Sequence, residues 1–189
     1  MDYKKIEEEE SPQALRLARW INRELNPQNI VDIGCATGFY LFPFKNINPL
    51  GIDYDENDQC RLFTKHRKYS EIELLNFDLT RSLKELSTLD RYDVGICLEV
   101  AEHIDEKFEN IFMDNIVSLC RTLIFSAAPP RQTGDGHINL KAKAYWLKQF
   151  ERRGMLYDAF ESQAMLGYMQ QGAHMGWFVN NAFIVTGRY

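Results

Sequence analysis

Three observations predict an α/β fold built on a mostly parallel sheet. Short apolar runs rich in β-branched residues, at 30–33, 50–52, 72–77, 92–98 and 122–126, alternate with stretches of helical spacing. The first run ends in a turn that holds Gly34 and Gly38, where the missing Cβ lets the backbone turn tightly and approach a ligand. Acids follow three of the other runs: Asp53, Asp78 and Glu99. Strands alternating with helices pack as a parallel sheet covered on both faces, a three-layer sandwich. Ligands of such sheets bind beyond the carboxyl ends of the strands, so the acids and the loop after Ser126 should share one rim.

Each element has its own signal. Ser11-Pro12 opens a helix whose apolar residues Ala14, Leu15, Leu17, Ala18 and Ile21 recur at helical spacing up to Leu25. The acidic run Glu7 to Glu10 before it reads as a solvated helix start. Asn26-Pro27 breaks this helix before the first strand. A short helix with Pro43 in its first turn is expected over 40–44, and others over 56–66, 83–86, 108–119 and 141–153, the last ended by Gly154. Residues 155–178 are rich in Met and aromatics and read as core packing and a strand, and 182–186 as a final strand. The whole, 1–189, is expected to be a single domain with an N-terminal helical segment over 1–28 and a core over 29–187.

Composition narrows the function. A chain of 189 residues that is 45% hydrophobic can bury one good core. A net charge of -5 argues against charge-driven binding to nucleic acid or to an anionic membrane. Cys35, Cys60, Cys97 and Cys120 are widely spaced and suggest neither a zinc knuckle nor a disulfide framework. With no apolar run of membrane-spanning length and no signal-peptide core, a cytoplasmic location is expected. Oligomeric state is left open by the sequence.

Taken together, Val31-Asp32-Ile33-Gly34-Cys35-Ala36-Thr37-Gly38, Gly51-Ile52-Asp53-Tyr54, Asn76-Phe77-Asp78-Leu79 and Tyr92-Asp93-Val94 running on to Leu98-Glu99-Val100-Ala101-Glu102-His103-Ile104 resemble the class I methyltransferases that use S-adenosylmethionine. The resemblance covers 29–187. It implies a Rossmann-like, seven-stranded sheet with an antiparallel C-terminal strand, and S-adenosylhomocysteine as product. It places Gly34, Cys35 and Gly38 at the methionine part of the cofactor, with Asp32 near the amino group. Asp53 would take the ribose hydroxyls, Tyr54 would pack on adenine, Asp78 and Leu79 would read the adenine edge, and Leu98 and Glu99 would flank the methyl. Ala36 departs from the family, which often has Gly there. A nicotinamide dinucleotide is the rival cofactor, but its fingerprint needs Gly where the chain has Ala36 and Phe39.

Methyl transfer from a sulfonium is a direct displacement, for which the protein positions the groups, excludes water and removes a proton. His137, in the Gly-rich loop after the fifth strand, and His103, after the fourth, are the candidate bases, with Glu99 alongside. Glu99, Glu102 and His103 form a Glu-x-x-Glu-His cluster. Together with His137 these side chains could hold a divalent ion, an arrangement that resembles the metal site of RNA 3'-terminal 2'-O-methyltransferases and of some ubiquinone-pathway O-methyltransferases. Relatives with the same Glu-His pair and no metal make the metal-free reading the preferred one. Tyr168, Met169, His174 and Trp177 lie where this family often contacts its acceptor. The leading expectation is O-methylation of a small-molecule or glycan-like acceptor. The alternatives are a metal-assisted RNA terminal 2'-O-methyltransferase and a non-catalytic cofactor-binding protein that acts through partners.

Overall fold

The computed structural model describes residues 3–54, 72–85, 91–172 and 175–187. The helix expected over 56–66, Cys60 and His174 lie outside the described residues. Seven strands form one sheet: β1 (Ile30–Ile33), β2 (Leu50–Asp53), β3 (Glu73–Asn76), β4 (Tyr92–Leu98), β5 (Cys120–Ser126), β6 (Met155–Tyr157) and β7 (Phe183–Gly187). Their order is β3-β2-β1-β4-β5-β7-β6. The first five are parallel, whereas β7 runs antiparallel to β5 and β6 antiparallel to β7. Strand order reverses between β1 and β4, which locates the crevice that such sheets use for ligands.

The helices are α1 (Tyr3–Trp20), α2 (Glu109–Leu119), α3 (Lys143–Glu151), α4 (Ala159–Gln170) and α5 (Gly176–Asn181). Two cores follow from the two faces of the sheet. On one, Phe112, Met113, Ile116, Trp146 and Phe150 pack against Val31, Ile33, Leu123 and Phe125. On the other, Leu17, Trp20, Ile21, Met165 and Phe178 pack against Ile30, Val94, Ile96 and Ile124. Central strands buried on both faces read as continuous apolar runs, which is why they were legible.

Two expectations are corrected. The first helix does not open at Ser11-Pro12: it starts at Tyr3 and carries Pro12 in its interior. A proline there forfeits a backbone hydrogen bond, and burial of Ala14, Leu17, Ala18 and Ile21 on the same helix and its π-helical extension Ile21–Leu25 offsets the loss. The Ser11 hydroxyl donates to the Glu7 carbonyl, so it bonds back along the helix instead of capping it. Asn26, left-handed at φ 42°, ends the extension by donating its N–H to the Ile21 carbonyl. The second correction concerns the Met-rich segment, which holds two helices besides β6. α4 is capped by Asp158, whose carboxylate accepts the Glu161 N–H. It shows no clean apolar stripe, because Met165 and Met169 are buried while Phe160 is 78% exposed.

The chain leaves β1 through a strained turn. Gly34 lies at φ 78°, and a Cβ there would come within 2.3 Å of the Val100 side chain, so only glycine fits. Ala36 is left-handed at φ 48°, where an L-residue with a Cβ loses roughly 1 to 2 kcal/mol. The turn is clamped to the next strand: Gly34 and Cys35 donate to the Ile52 carbonyl (2.7 and 3.1 Å), and Ala36 donates to Asp53 Oδ2 at 2.6 Å. Glycine at position 36, frequent in the family the sequence resembles, is therefore the unstrained choice for this turn.

Two stability predictions follow from this packing. Phe125 contacts Phe150, Phe183 and Trp146 with ring centroids 5.0, 5.4 and 5.7 Å apart; Phe125→Ala should cost about 3 to 5 kcal/mol in denaturant unfolding. Ala36→Gly should raise stability by about 1 kcal/mol, because it relieves the left-handed strain and keeps the bond to Asp53. Equal or lower thermal stability of that variant would show that the turn is not strained.

Candidate functional site

The carboxyl ends of β1 to β4 open into a cavity of about 590 Å³. Asp32, Gly34, Cys35 and Ala36 from the end of β1 and its turn form one wall. Asp53 ends β2 and Tyr54 follows it, Asp78, Leu79 and Thr80 come after β3, and Leu98 ends β4 with Glu99 and Val100 after it. His103, Gln132 and His137 close the side next to β5, and Ile6, Glu10, Phe39, Tyr40 and Trp177 form the cover. No lysine or arginine lines the cavity among the described residues.

Its acids are individually oriented. The Asp53 carboxylate accepts the N–H groups of Ala36 and Tyr54, at 2.6 and 2.7 Å. Asp78 Oδ1 accepts the Thr80 N–H and hydroxyl, at 2.8 and 2.6 Å. Tyr54 is 51% exposed at the rim. Asp32 is buried at the base of the cavity, and that burial, with the Asp53 charge beside it, pushes its carboxyl up to about 8.

Glu99 has the most constrained backbone of the set. It sits at φ 53°, and its N–H is shared between the Ser126 carbonyl and hydroxyl, both at 3.1 Å. Its carboxylate accepts Gln132 Nε2 at 2.8 Å and Asn181 Nδ2 at 3.3 Å, and Asn181 also donates to Gln132 Oε1 at 3.0 Å. Two amides from the β5 loop and from α5 thereby fix a side chain whose own backbone is held in a sparsely populated region, a pattern typical of functional positions.

The loop carrying His137 is pinned. Ile138 and Asn139 donate their N–H groups to the Glu102 carbonyl at 2.8 and 2.9 Å, and Ala128 N–H reaches Glu102 Oε1 at 3.2 Å. This stacks His103 edge-on to His137, with centroids 5.0 Å apart. Each ring uses Nδ1 on a backbone carbonyl, His103 on Gly136 (3.1 Å) and His137 on Gln132 (3.0 Å). With the hydrogen on Nδ1, the Nε2 lone pair is left for a proton or a cation. Burial, ahead of the neighbouring His137, holds His103 below the usual histidine range.

Ligand atoms of Glu102, His103 and His137 all lie within 4.8 Å of one another. Glu102 is fully buried, and its Oε2 meets no hydrogen-bond donor. Burial and then the Glu99 carboxylate push Glu102 up to about 8. An orphaned buried oxygen beside two imidazoles of fixed tautomer suits a divalent ion. Glu99 stands outside that trio, engaged by Gln132 and Asn181.

The other residues that the sequence pointed to divide between the cavity and the packing around it. Trp177 lines the cavity, whereas Gly38 does not: at φ 78° it closes the turn below. The structure places Tyr168 and Met169 away from the substrate wall expected for them. Met169 is buried in the core, and Tyr168 receives the Arg16 guanidinium on its ring face and its carbonyl, joining α4 to α1. Glu10, Tyr40, Thr80, Gln132 and Asn181 join the site without having been singled out. The signal for Glu10 was its spacing: Ile6, Glu10, Gln13 and Leu17 continue one helical face of α1 toward its start.

Neither family models nor curated sequences match the chain. Solved structures do. Magnesium protoporphyrin IX methyltransferase from Synechocystis PCC 6803, with bound S-adenosylmethionine, superposes with a TM-score of 0.67 at 18% identity, over 98% of this chain and 83% of that one. The methyltransferase domain of bacterial CtHen1 gives 0.60 at 17%, over 91% and 99%. An O-methyltransferase family protein from Burkholderia thailandensis gives 0.64 at 12%, over 95% and 56%. Among the described residues no helix is long and apolar enough to cross a membrane. Strand order, the turn after β1 and these superpositions agree that the chain has the fold of the class I S-adenosylmethionine-dependent methyltransferases.

Proposed function

We propose that the protein binds S-adenosylmethionine in this cavity and transfers its methyl group to an oxygen of a small-molecule or glycan-like acceptor. The observation that carries this reading is the convergence of the Gly34–Ala36 turn, Asp53, Asp78 and Glu99 on one cavity at the strand ends. The residues fit the cofactor. Gly34 leaves backbone room, Asp53 and Asp78 are pre-oriented acceptors for ribose and adenine donors, and Tyr54 offers a ring at the rim. Bound there, S-adenosylmethionine supplies an already activated methyl group. The chain's part is then to orient, to exclude water and to take a proton. Ile6, Phe39, Tyr40 and Trp177 cover the cavity. Glu99, fixed by Gln132 and Asn181, sets the edge nearest β5. His103, kept neutral by burial, and His137 are the imidazoles that can accept the acceptor's proton. With five carboxylic acids and, among the described residues, no lysine or arginine in its wall, the cavity favours a neutral or cationic acceptor over an anionic one.

The second reading is metal-assisted transfer, as in terminal RNA 2'-O-methylation, and the Glu102, His103 and His137 cluster favours it. A divalent ion held there would give acceptor hydroxyls a Lewis acid and would supply the positive charge that the wall lacks for a phosphate-bearing acceptor.

Two experiments test these readings. In calorimetry, S-adenosylhomocysteine should bind, and Asp53→Ala should weaken it at least about tenfold through the lost charge-assisted hydrogen bonds; unchanged affinity would sink the cofactor assignment. Release of S-adenosylhomocysteine from a panel of hydroxylated acceptors would then identify the substrate class. For the second reading, Mn²⁺ titration followed by electron paramagnetic resonance should show one site that His137→Ala weakens by more than about tenfold. Retention of full activity after exhaustive chelation excludes it.

A further inference from the structure

The first helix brings into the cavity a carboxyl group, Glu10, and among the described residues no lysine or arginine lines the cavity with it. The Tyr40 hydroxyl donates to Glu10 Oε2 at 3.0 Å and itself accepts Gln13 Nε2 at 2.6 Å, while Gln13 Oε1 accepts the Met175 N–H at 2.6 Å. These bonds tie α1, the turn after β1 and the start of α5 together around Glu10. Trp177 lines the cavity beside it. Glu99, which lines the same cavity, and Glu9 beside it on α1 add negative charge to its surroundings. Of the described cations on α1 and its extension, Lys5 pairs with Glu9 at 3.8 Å, and Arg16 and Arg23 lie over the Tyr168 ring at 4.1 and 5.0 Å. Burial first, and the charge of Glu99 as well, push the Glu10 carboxyl up to about 7.

The position of this pair in the cavity follows from the sheet. Asp78 and Thr80 follow β3, and Glu99 follows β4, three strand spacings away in the order β3-β2-β1-β4, or roughly 14 Å. Asp53, Asp78 and Thr80 thus form the adenosine end under the reading given above, on which this inference rests. Glu99 closes the far end, and Glu10 lines the same cavity with the Glu99 charge acting on it.

We propose that Glu10 is the residue that distinguishes the sulfonium cofactor from its thioether product, by adding a second carboxyl to that of Glu99 in a wall that holds no lysine or arginine among the described residues. S-adenosylmethionine and S-adenosylhomocysteine share the adenosine and amino-acid groups and differ by one methyl and one positive charge at sulfur. A positive charge beside Glu10 favours its carboxylate form, so binding of the cofactor expels a proton that binding of the product does not. In turnover the sulfur–methyl bond breaks and the oxygen–methyl bond forms; the acceptor's hydroxyl proton is released, and Glu10 takes up one proton as the cation disappears. Charge and protons balance: acceptor hydroxyl, sulfonium and carboxylate become methyl ether, thioether and carboxylic acid. Release of the product is thereby favoured.

The test is calorimetry of the full chain at pH 7 with S-adenosylmethionine and with S-adenosylhomocysteine, each in phosphate and in Tris, whose ionisation enthalpies differ. Because Glu10 titrates at about 7, the cofactor should release up to about half a proton more than the product. Its advantage in affinity should shrink as pH falls through 7, since protons then compete with the cation. Glu10→Gln should abolish the difference in proton release and cut the cofactor-to-product affinity ratio by about tenfold. Tyr40→Phe, which leaves the carboxyl in place, should preserve the difference. Equal proton release by the two ligands in the unaltered protein overturns the proposal without needing any variant, as does a difference that survives Glu10→Gln. If neither ligand binds, the cofactor assignment falls and this inference with it. If both bind with identical linkage, only the role of Glu10 falls.

Discussion

The cavity depends on how the chain leaves β1. Two N–H groups, of Gly34 and Cys35, converge on the Ile52 carbonyl, and a third, of Ala36, reaches the Asp53 carboxylate. These bonds fix the turn to the neighbouring parallel strand. Parallel pairing puts the ends of β1, β2 and β4 side by side, so the same bonds set the distance between the turn and every acid on the rim. Asp53 is thereby both a structural acceptor for a strained turn and an oriented oxygen pair facing the cavity. Left-handed Ala36 and left-handed Glu99 mark the two places where the backbone gives up favourable torsions to hold this geometry.

The acids around the rim divide by their surroundings. Asp53 and Asp78 are held by backbone and hydroxyl donors. Asp32, Glu10 and Glu102 are raised by burial next to other carboxyls, which keeps much of their charge in check at neutral pH. A wall of this kind resists anions and rewards whichever cation enters it, whether an organic sulfonium at one end or a metal beside the two histidines. The same logic explains why Gln132 and Asn181 meet Glu99: neutral amides orient a carboxylate without neutralising it.

Much of this was legible in the sequence for a physical reason. Buried parallel strands show as unbroken apolar runs, and Asp53 ends β2 while Glu99 directly follows β4, so β1, β2, β4, Asp53 and Glu99 needed no tertiary information. Glu10 and Asn181 did. They come from α1 and α5, at opposite ends of the chain, and reach the cavity only because those helices pack on the same face of the sheet. Glu10 also sat in a run of four glutamates, whose charge suggested solvent, although Glu7 and Glu10, one helical turn apart, are half-buried on one face while Glu8 and Glu9 between them are exposed. Tyr168 misled in the other direction: an aromatic between the last strands suggests a ligand, but its ring carries Arg16.

The bond from the Met175 N–H to Gln13 spans 162 residues and closes the cover of the cavity. Contacts so distant along the chain form late, after the loop-closure entropy of everything between them has been met. During synthesis the turn after β1 and the acids behind it are made long before the segment that encloses them. A ligand that needs the cover therefore meets no complete binding site on the nascent chain, and its binding reports that the last helix and strand have docked. Occupancy of the cavity is in this sense a signal of finished folding, carried by a single glutamine on the first helix.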